Sequence, residues 1–322
     1  MKRRALLLAL CALALVRAAS GQTRRTWKIG LLMSNSTDPH LWGALKAELA
    51  RRGYAEGRDI AFIEANADGN FARFPALAAE HVRDRVDLIV AAGTPSLRAA
   101  KNATGTIPIV IATAGDPVAS GMVASFAKPG GNITGMSNMA GDLSVKMFEL
   151  ALATLPKLAR VSVIWNPANP SNALLPAGIR GAAAKSGVTI LDHKAAAAAD
   201  MDSVLALLVR DRPDALIVLS DPFLVSQREK IGAFGRAQRV PVFSPMREFV
   251  QAGALMSYGT DYAADFRRAA SFVDRILKGA KPGELPIEQA ATFDLAINRK
   301  TAALLGMTIP MAVQLQATEV IE

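Results

Sequence analysis

The chain of 322 residues holds one cysteine, three histidines, three tryptophans and three tyrosines. Cys11 sits inside an N-terminal stretch with the pattern of a removable secretory signal, so the mature protein is expected to be free of cysteine. That excludes disulfides, a thiol nucleophile and cysteine-based metal sites together. His40, His81 and His193 have no spacing to each other or to carboxylates that suits a metal site. The pattern places His40 and His81 in helices and His193 in a loop, and assigns none of them chemistry. A G-x-S-x-G elbow, a P-loop with Gly-Lys-Ser/Thr and a G-x-G-x-x-G fingerprint are all missing. No metal or cofactor is expected, and the sequence offers an enzyme little. After the signal, no apolar run is long enough for a membrane-spanning helix.

Charge is also sparse. Charged residues make up 20% of the chain and hydrophobic ones 51%, the balance of a packed globular protein. The formal net charge of +9 includes Lys2, Arg3, Arg4 and Arg17 of the expected signal, whose loss leaves about +5. The remaining basic residues are scattered, so no nucleic-acid partner is expected. Within the signal, residues 1–20, Lys2-Arg3-Arg4 is the positive start, residues 5–16 the apolar run and Ala18-Ala19-Ser20 the small residues of a cleavage site near Ser20 or Gln22. Leu10 before Cys11 does not suit a lipoprotein signal, and Arg3-Arg4 lacks the rest of a twin-arginine context.

What the chain does have is a repeated alternation. Residues 87–92 form a short apolar run, as a buried parallel strand requires, and Gly93-Thr94-Pro95-Ser96 follows. Gly93 permits a sharp turn, Thr94 suits a helix N-cap and Pro95 the first helical position. Such a junction presents free N–H groups and a partial positive charge at the sheet edge, where ligands of open α/β sheets sit. Further strands are expected at 27–33, 60–65, 107–113, 132–135, 160–165, 188–191, 214–219, 240–244, 254–258 and 292–297. Helices are expected at 41–52, 71–85, 143–155, 174–186, 201–210, 225–238, 263–278 and 299–305, with short ones from Val118 and Arg247. The expected fold is α/β: two Rossmann-like lobes with parallel sheets and a cleft between them.

The polar residues at the strand ends are the candidate ligand groups. Ser36, Thr37, Thr94 and Ser96 read equally as helix caps and as donors at the cleft edge. Asp116 and Asp221, each before a proline, read as turn formers or as acceptors for a ligand ammonium or hydroxyl. Asn166, Asn169 and Ser171 lie in a loop stiffened by Pro167 and Pro170, which suits a preformed site. Arg247 can hold a carboxylate or pair with Glu248. Tyr258 can stack on a ligand or pack in the core, beside a hinge at Gly259.

Several segments together resemble one family. They are the loop from Ala112-Thr113-Ala114-Gly115-Asp116-Pro117-Val118 to Lys128-Pro129-Gly130-Gly131-Asn132-Ile133-Thr134-Gly135, then Gly253-Ala254-Leu255-Met256-Ser257-Tyr258-Gly259, Ile276-Leu277-Lys278-Gly279-Ala280-Lys281-Pro282, and Leu295-Ala296-Ile297-Asn298-Arg299-Lys300-Thr301-Ala302 with Leu304-Leu305-Gly306-Met307-Thr308-Ile309-Pro310. In that order they are similar to the substrate-binding components of ABC transporters of the tryptophan/tyrosine-type binding family. The resemblance implies a type I periplasmic-binding-protein architecture with three interlobe crossovers, near 135–138, 259–261 and 281–288. The lobes would be 27–137 with 260–284, and 138–259 with 285–322. It implies no catalysis, a small-molecule ligand and an ABC permease as partner; the signal makes the protein periplasmic, and a mechanism that needs only one cleft favours a monomer. An amino acid, aromatic by preference, is the expected ligand. Thr113, Ser137, Asn138, Phe223 and Asp261 join the candidate residues, and Phe223, Trp165 or Tyr258 either faces an aromatic side chain or packs in the core. The alternative is a secreted α/β hydrolase, and a sensor ectodomain or repressor of this fold is not expected.

Overall fold

The computed structural model describes residues 25–34, 39–173 and 175–322. The expected signal peptide, Cys11, Ser36 and Thr37 lie outside them. The described strands form two sheets. The first contains β1 (Trp27–Met33), β2 (Ile60–Asn66), β3 (Leu88–Ala92), β4 (Ile109–Thr113), β5 (Ile133–Ser137) and, from far along the chain, β11 (Glu288–Gln289). Their order is β11-β5-β4-β3-β1-β2, and every pairing is parallel.

Alternation along the strands feeds two cores. Ile29, Leu31, Leu88, Val90 and Val110 face helix α1 (Pro39–Arg51) and helix α10 (Tyr262–Leu277). Leu32, Ile89, Ala91, Ile109 and Ile111 face α2 (Phe74–Arg83) and α3 (Thr94–Ala103). Burial on both sides explains why these strands read as continuous apolar runs.

The second sheet contains β6 (Arg160–Trp165), β7 (Thr189–Lys194), β8 (Ala215–Val218), β9 (Val242–Ser244), β10 (Met256–Thr260), β12 (Phe293–Asn298) and β13 (Glu319–Ile321), in the order β13-β12-β10-β9-β8-β6-β7. Val161, Val163 and Ile217 pack against α4 (Ala140–Thr154), α5 (Leu175–Ser186), α11 (Arg299–Leu305) and α12 (Met311–Gln314). Ile164, Leu216 and Val218 pack against α6 (Asp200–Asp211), α7 (Pro222–Ser226), α8 (Arg228–Gln238) and α9 (Glu248–Gln251). Among the described residues, no helix is long and apolar enough to cross a membrane.

Several expectations are corrected. The second sheet is not wholly parallel: β12 runs antiparallel to β10. The chain leaves this sheet at the end of β10, covers the first sheet with α10, and re-enters from the same end, so it must run the other way. The re-entry falls after β11, which pairs with β5, and so later than residues 281–288. The helix expected at 225–238 is two helices, because Asp221 and Pro222 start one earlier. No helix follows Val118. Instead the Asp116 carboxylate accepts from the N–H groups of Val118 and Ala119 and holds a turn.

His193 lies in β7 and not in a loop. Its Nε2 is 3.0 Å from Ser162 Oγ and 3.7 Å from Asp211 Oδ2. Ser162 is fully buried and His193 only 4% exposed, so this grouping pins β6, β7 and α6 together under the sheet.

His81 of α2 is buried against β1, where a Cβ on Gly30 would lie 2.9 Å from the ring. Burial pushes its pKa below the usual histidine value, outweighing the Leu31 carbonyl, Asp84 and Glu80, which act the other way. The unfolded chain therefore takes up this proton first, and the stability held by neutral His81 is lost as pH falls below about 6.5. Denaturant unfolding between pH 7 and pH 5 is expected to show a steeper acid loss in the wild type than in His81→Phe. Equal slopes would contradict this account.

Candidate functional site

In each sheet the strand order reverses at one place, between β1 and β3 in the first and between β6 and β8 in the second. Loops leaving such strands in opposite directions open a crevice at the carboxyl edge. Here the two crevices face each other across a cavity of about 90 Å³. The first lobe lends Ser34, Gly93, Thr94, Thr113 and Gly115, Asn138 stands just past β5 where the chain crosses over, and the second lobe lends Asn169, Ser171, Ser220, Pro222, Met246 and Glu248. Leu41 and Trp42 of α1, Tyr262 and Phe266 of α10, and Val225 of α7 supply most of the apolar wall. Trp42 and Phe266 meet edge to face with centroids 5.1 Å apart.

The turn after β3 is held by its own backbone. Gly93 has φ of 95°, which a side chain would resist, and its N–H donates to Thr113 O at 2.7 Å. Gly93, and not Thr94, is the N-cap of α3. Thr94 is the first helical residue, and its Oγ1 accepts from Gly115 N at 3.2 Å, tying the β3 and β4 loops together. Ser96 is fully buried, with Oγ donating to the carbonyls of Ala92 and Gly93, so it braces the turn behind the cavity wall. Ser34 Oγ donates to Ala92 O. Two polar atoms of the cavity residues are sealed from solvent with no hydrogen-bond partner among the described residues: Thr113 Oγ1 and Asn138 Oδ1.

The second lobe's loop is a set of interlocked Asx turns. Asn166 Oδ1 accepts from Ala168 N, and Asn169 Oδ1 from Ser171 N. Both Nδ2 groups then donate to the Asp221 carboxylate, Asn169 at 2.8 Å, while Asp221 also caps α7 by accepting from Leu224 N at 3.0 Å. Asp221 has no exposed surface. Burial pushes its pKa up to about 6 in spite of these donors. Asp221 and Asn166 therefore shape the loop that carries Asn169 and Ser171 to the cavity.

The lobes touch directly. Asn138 Nδ2 donates to Tyr262 Oη at 3.5 Å, and Tyr262 Oη lies 3.3 Å from Ser220 Oγ of the second lobe. Burial, with the charges of Glu248 and Asp265, pushes the Tyr262 phenol up to about 12, so it remains neutral. A Cβ on Gly115 would lie 1.8 Å from Ser171 Oγ and 2.8 Å from Ser171 Cβ, so only glycine lets these loops come this close.

Of the residues singled out in the sequence, the structure brings Thr94, Thr113, Asn138, Asn169 and Ser171 to the cavity. Ser137 stands just behind, donating to Gly115 O. Asp116 is spent on its turn. Phe223 lies in the core of the second lobe, as its place behind the Asp221 cap dictates. Tyr258 packs against the other core and stacks on Phe293 at 5.9 Å. Trp165 packs there too, with the Lys194 ammonium over its ring. Asp261 caps α10 through Ala264 N. Arg247 is exposed and pairs with Glu319, a residue of β13 that the sequence did not mark as a strand.

Sequence reasoning missed Trp42, Phe266, Tyr262, Met246 and Glu248. The first three lie on helices, where an apolar or aromatic residue reads as core. The only signal was that Tyr262 directly follows the Asp261 cap at an expected hinge.

A family profile described as "ABC transporter substrate binding protein" matches residues 31–321. A tyrosine-binding protein of Clostridioides difficile (strain R20291) is 30% identical over 273 residues, 84% of this chain and 78% of the relative. The crystal structure of a conserved domain protein from Vibrio cholerae O1 biovar eltor is 30% identical, covers 92% of this chain and 100% of its own, and superposes with a TM-score of 0.87. The ABC domain in complex with L-Trp from Streptococcus pneumonia is 24% identical over 92% of this chain and 100% of its own, with a TM-score of 0.86, a likeness of fold.

The Gly115–Ser171 approach has a direct test. Gly115→Ala is expected to leave the lobes individually folded, because the added methyl meets Ser171 of the opposite loop and clashes with nothing in its own lobe. It should hold the lobes apart and raise the radius of gyration in small-angle scattering. Adding Ser171→Gly removes the opposing atoms and should restore the wild-type value. An unchanged radius in the single variant would refute the contact.

Proposed function

Because the chain belongs to the ABC transporter substrate-binding protein family, we propose that it is the periplasmic capture component of an importer for an amino acid, with an aromatic side chain preferred. The lobes are 27–137 with 260–289, and 138–259 with 290–322, the first extended to take in β11. The signal peptide of residues 1–20 directs export. Capture brings the lobes together about the hinge segments, and the closed form presents its ligand to a membrane permease. The protein acts as a monomer, since one cleft suffices, and performs no chemistry on its cargo.

One observation carries the ligand class. A small cavity between the lobes joins an apolar wall of Trp42 and Phe266 to polar atoms that lack partners, Thr113 Oγ1 and Asn138 Oδ1, beside the N-terminus of α3. Unpartnered N–H groups at that helix start suit a carboxylate, and an amide oxygen suits an ammonium. An aromatic ring on the Trp42 and Phe266 wall would gain contact area and edge-to-face geometry. The relative described as tyrosine-binding, at 30% identity, supports the same class. The fold neighbour that holds L-Trp agrees with it.

Calorimetry on ligand-stripped protein should find one site per chain for L-tyrosine, L-tryptophan or L-phenylalanine. The same ligand, at about a hundred times its dissociation constant, should stabilise the fold by about 2.7 kcal/mol. If none of the three produces heat or a melting shift, the amino-acid reading is wrong.

A further inference from the structure

Hydroxyl groups around the cavity are spent, for the most part, inside their own lobe. Ser34 Oγ donates to Ala92 O, Ser96 Oγ to Ala92 O and Gly93 O, and Ser137 Oγ to Gly115 O, while Thr94 Oγ1 accepts from Gly115 N. Ser220 departs from this pattern. Its Oγ lies 3.3 Å from Tyr262 Oη, which belongs to the other lobe. Both partners are held by their own surroundings. Ser220 stands between Leu219, whose N–H donates to Ile164 O, and Asp221, the buried cap of α7. Tyr262 opens α10 directly after the Asp261 cap, and α10 is packed on the first lobe through Phe266 and Trp42. Asn138 Nδ2, at the neighbouring crossover, donates to the same phenol oxygen at 3.5 Å. The phenol stays neutral, so its oxygen can accept from Asn138 while its proton is shared with Ser220.

We propose that Tyr262 is a positioning residue for capture: its hydroxyl latches the second lobe through Ser220, and this bond, with the ligand's own contacts, sets how long cargo stays. The inference rests on the reading of capture by lobe closure and adds a specific pair of groups to it. Tyr262 sits at the hinge end of α10 and Asn138 at the crossover beside it, so the two stay together as the lobes part. Ser220 follows β8 and moves with the second lobe, so its bond to Tyr262 is the one that opening breaks. The bond runs between protein atoms. It therefore forms with or without a ligand and holds a share of the free protein closed. Both groups are already placed, so closing the bond costs little conformational entropy. Ligand enters and leaves through the open form, and the latch slows release while leaving association nearly untouched.

Surface plasmon resonance with L-tryptophan on the secreted, ligand-stripped protein, together with small-angle scattering without ligand, tests the pair. The variants are Tyr262→Phe, which keeps the ring in the wall, Ser220→Ala, and the two combined. Each single change is expected to raise the dissociation rate about fivefold, what one net hydrogen bond is worth, and to leave the association rate within about twofold. The double variant is expected to match either single one, since the second change finds the bond already gone. The ligand-free radius of gyration should rise by the same amount in all three. Two residues that merely touched the ligand would give rate effects that multiply and would leave the ligand-free radius alone. Unchanged dissociation rates, multiplying effects, or a wild-type radius in the variants would overturn the inference. If Tyr262→Phe does not fold, Ser220→Ala decides by its own dissociation rate and radius. If the wild type does not bind L-tryptophan, that result counts against the aromatic reading, and the ligand-free radius still decides on the latch.

Discussion

Burial on both faces of a parallel sheet is the constraint on which the rest depends. Helices cover each sheet completely, so the loops at the strand ends are the one edge left for polar chemistry. In this protein two such edges meet. Each sheet reverses strand order once, at β1/β3 and at β6/β8, and the loops leaving those strands turn outward. The cavity residues come from these loops, from the ends of the neighbouring strands β4, β5 and β9 and from the helices beside them, and no strand interior contributes a lining side chain.

The two halves of the cleft are made rigid in different ways. In the first lobe, the Gly93 turn, Thr94 and Ser96 spend their hydrogen bonds on fixing the start of α3. In the second, Asp221 gathers Asn166, Asn169 and the start of α7 into one buried network. Tyr262 stands at the join, on the first residue of α10, and touches both Asn138 and Ser220. A site organised before the ligand arrives loses less entropy on binding. The atoms with unmet hydrogen bonds, Thr113 Oγ1 and Asn138 Oδ1, stand out because their neighbours are satisfied.

Much of the fold was legible because a strand buried on both faces leaves a plain apolar run, and the next Gly, Pro or Asn marks its end. What sequence reading missed follows the same logic. Strand β13, three residues long and half-exposed, has too little pattern to see. The split between α7 and α8 depends on an Asp cap whose carboxylate is fixed by residues about 50 positions earlier. His193 looked like a loop residue because its strand lies at the sheet edge, where polar side chains are tolerated. Among site residues, small polar groups beside glycine and proline were visible, but two of the most suggestive, Asp116 and Ser96, turned out to serve only their own turns.

By itself the sequence determined the class of the fold, the family and the loops that carry the site, since these depend on local periodicity and on motifs in chain order. It also settled that the bulk of the charge is scattered and positive. Only the tertiary structure decided which polar residues face the cleft and that Trp42, Phe266 and Tyr262 wall it. Those facts depend on the meeting of elements more than 200 residues apart, as α1 and α10 do at Trp42 and Phe266. Whether a side chain serves its own turn, the core or a ligand depends on what stands opposite it, and spacing along the chain does not encode that.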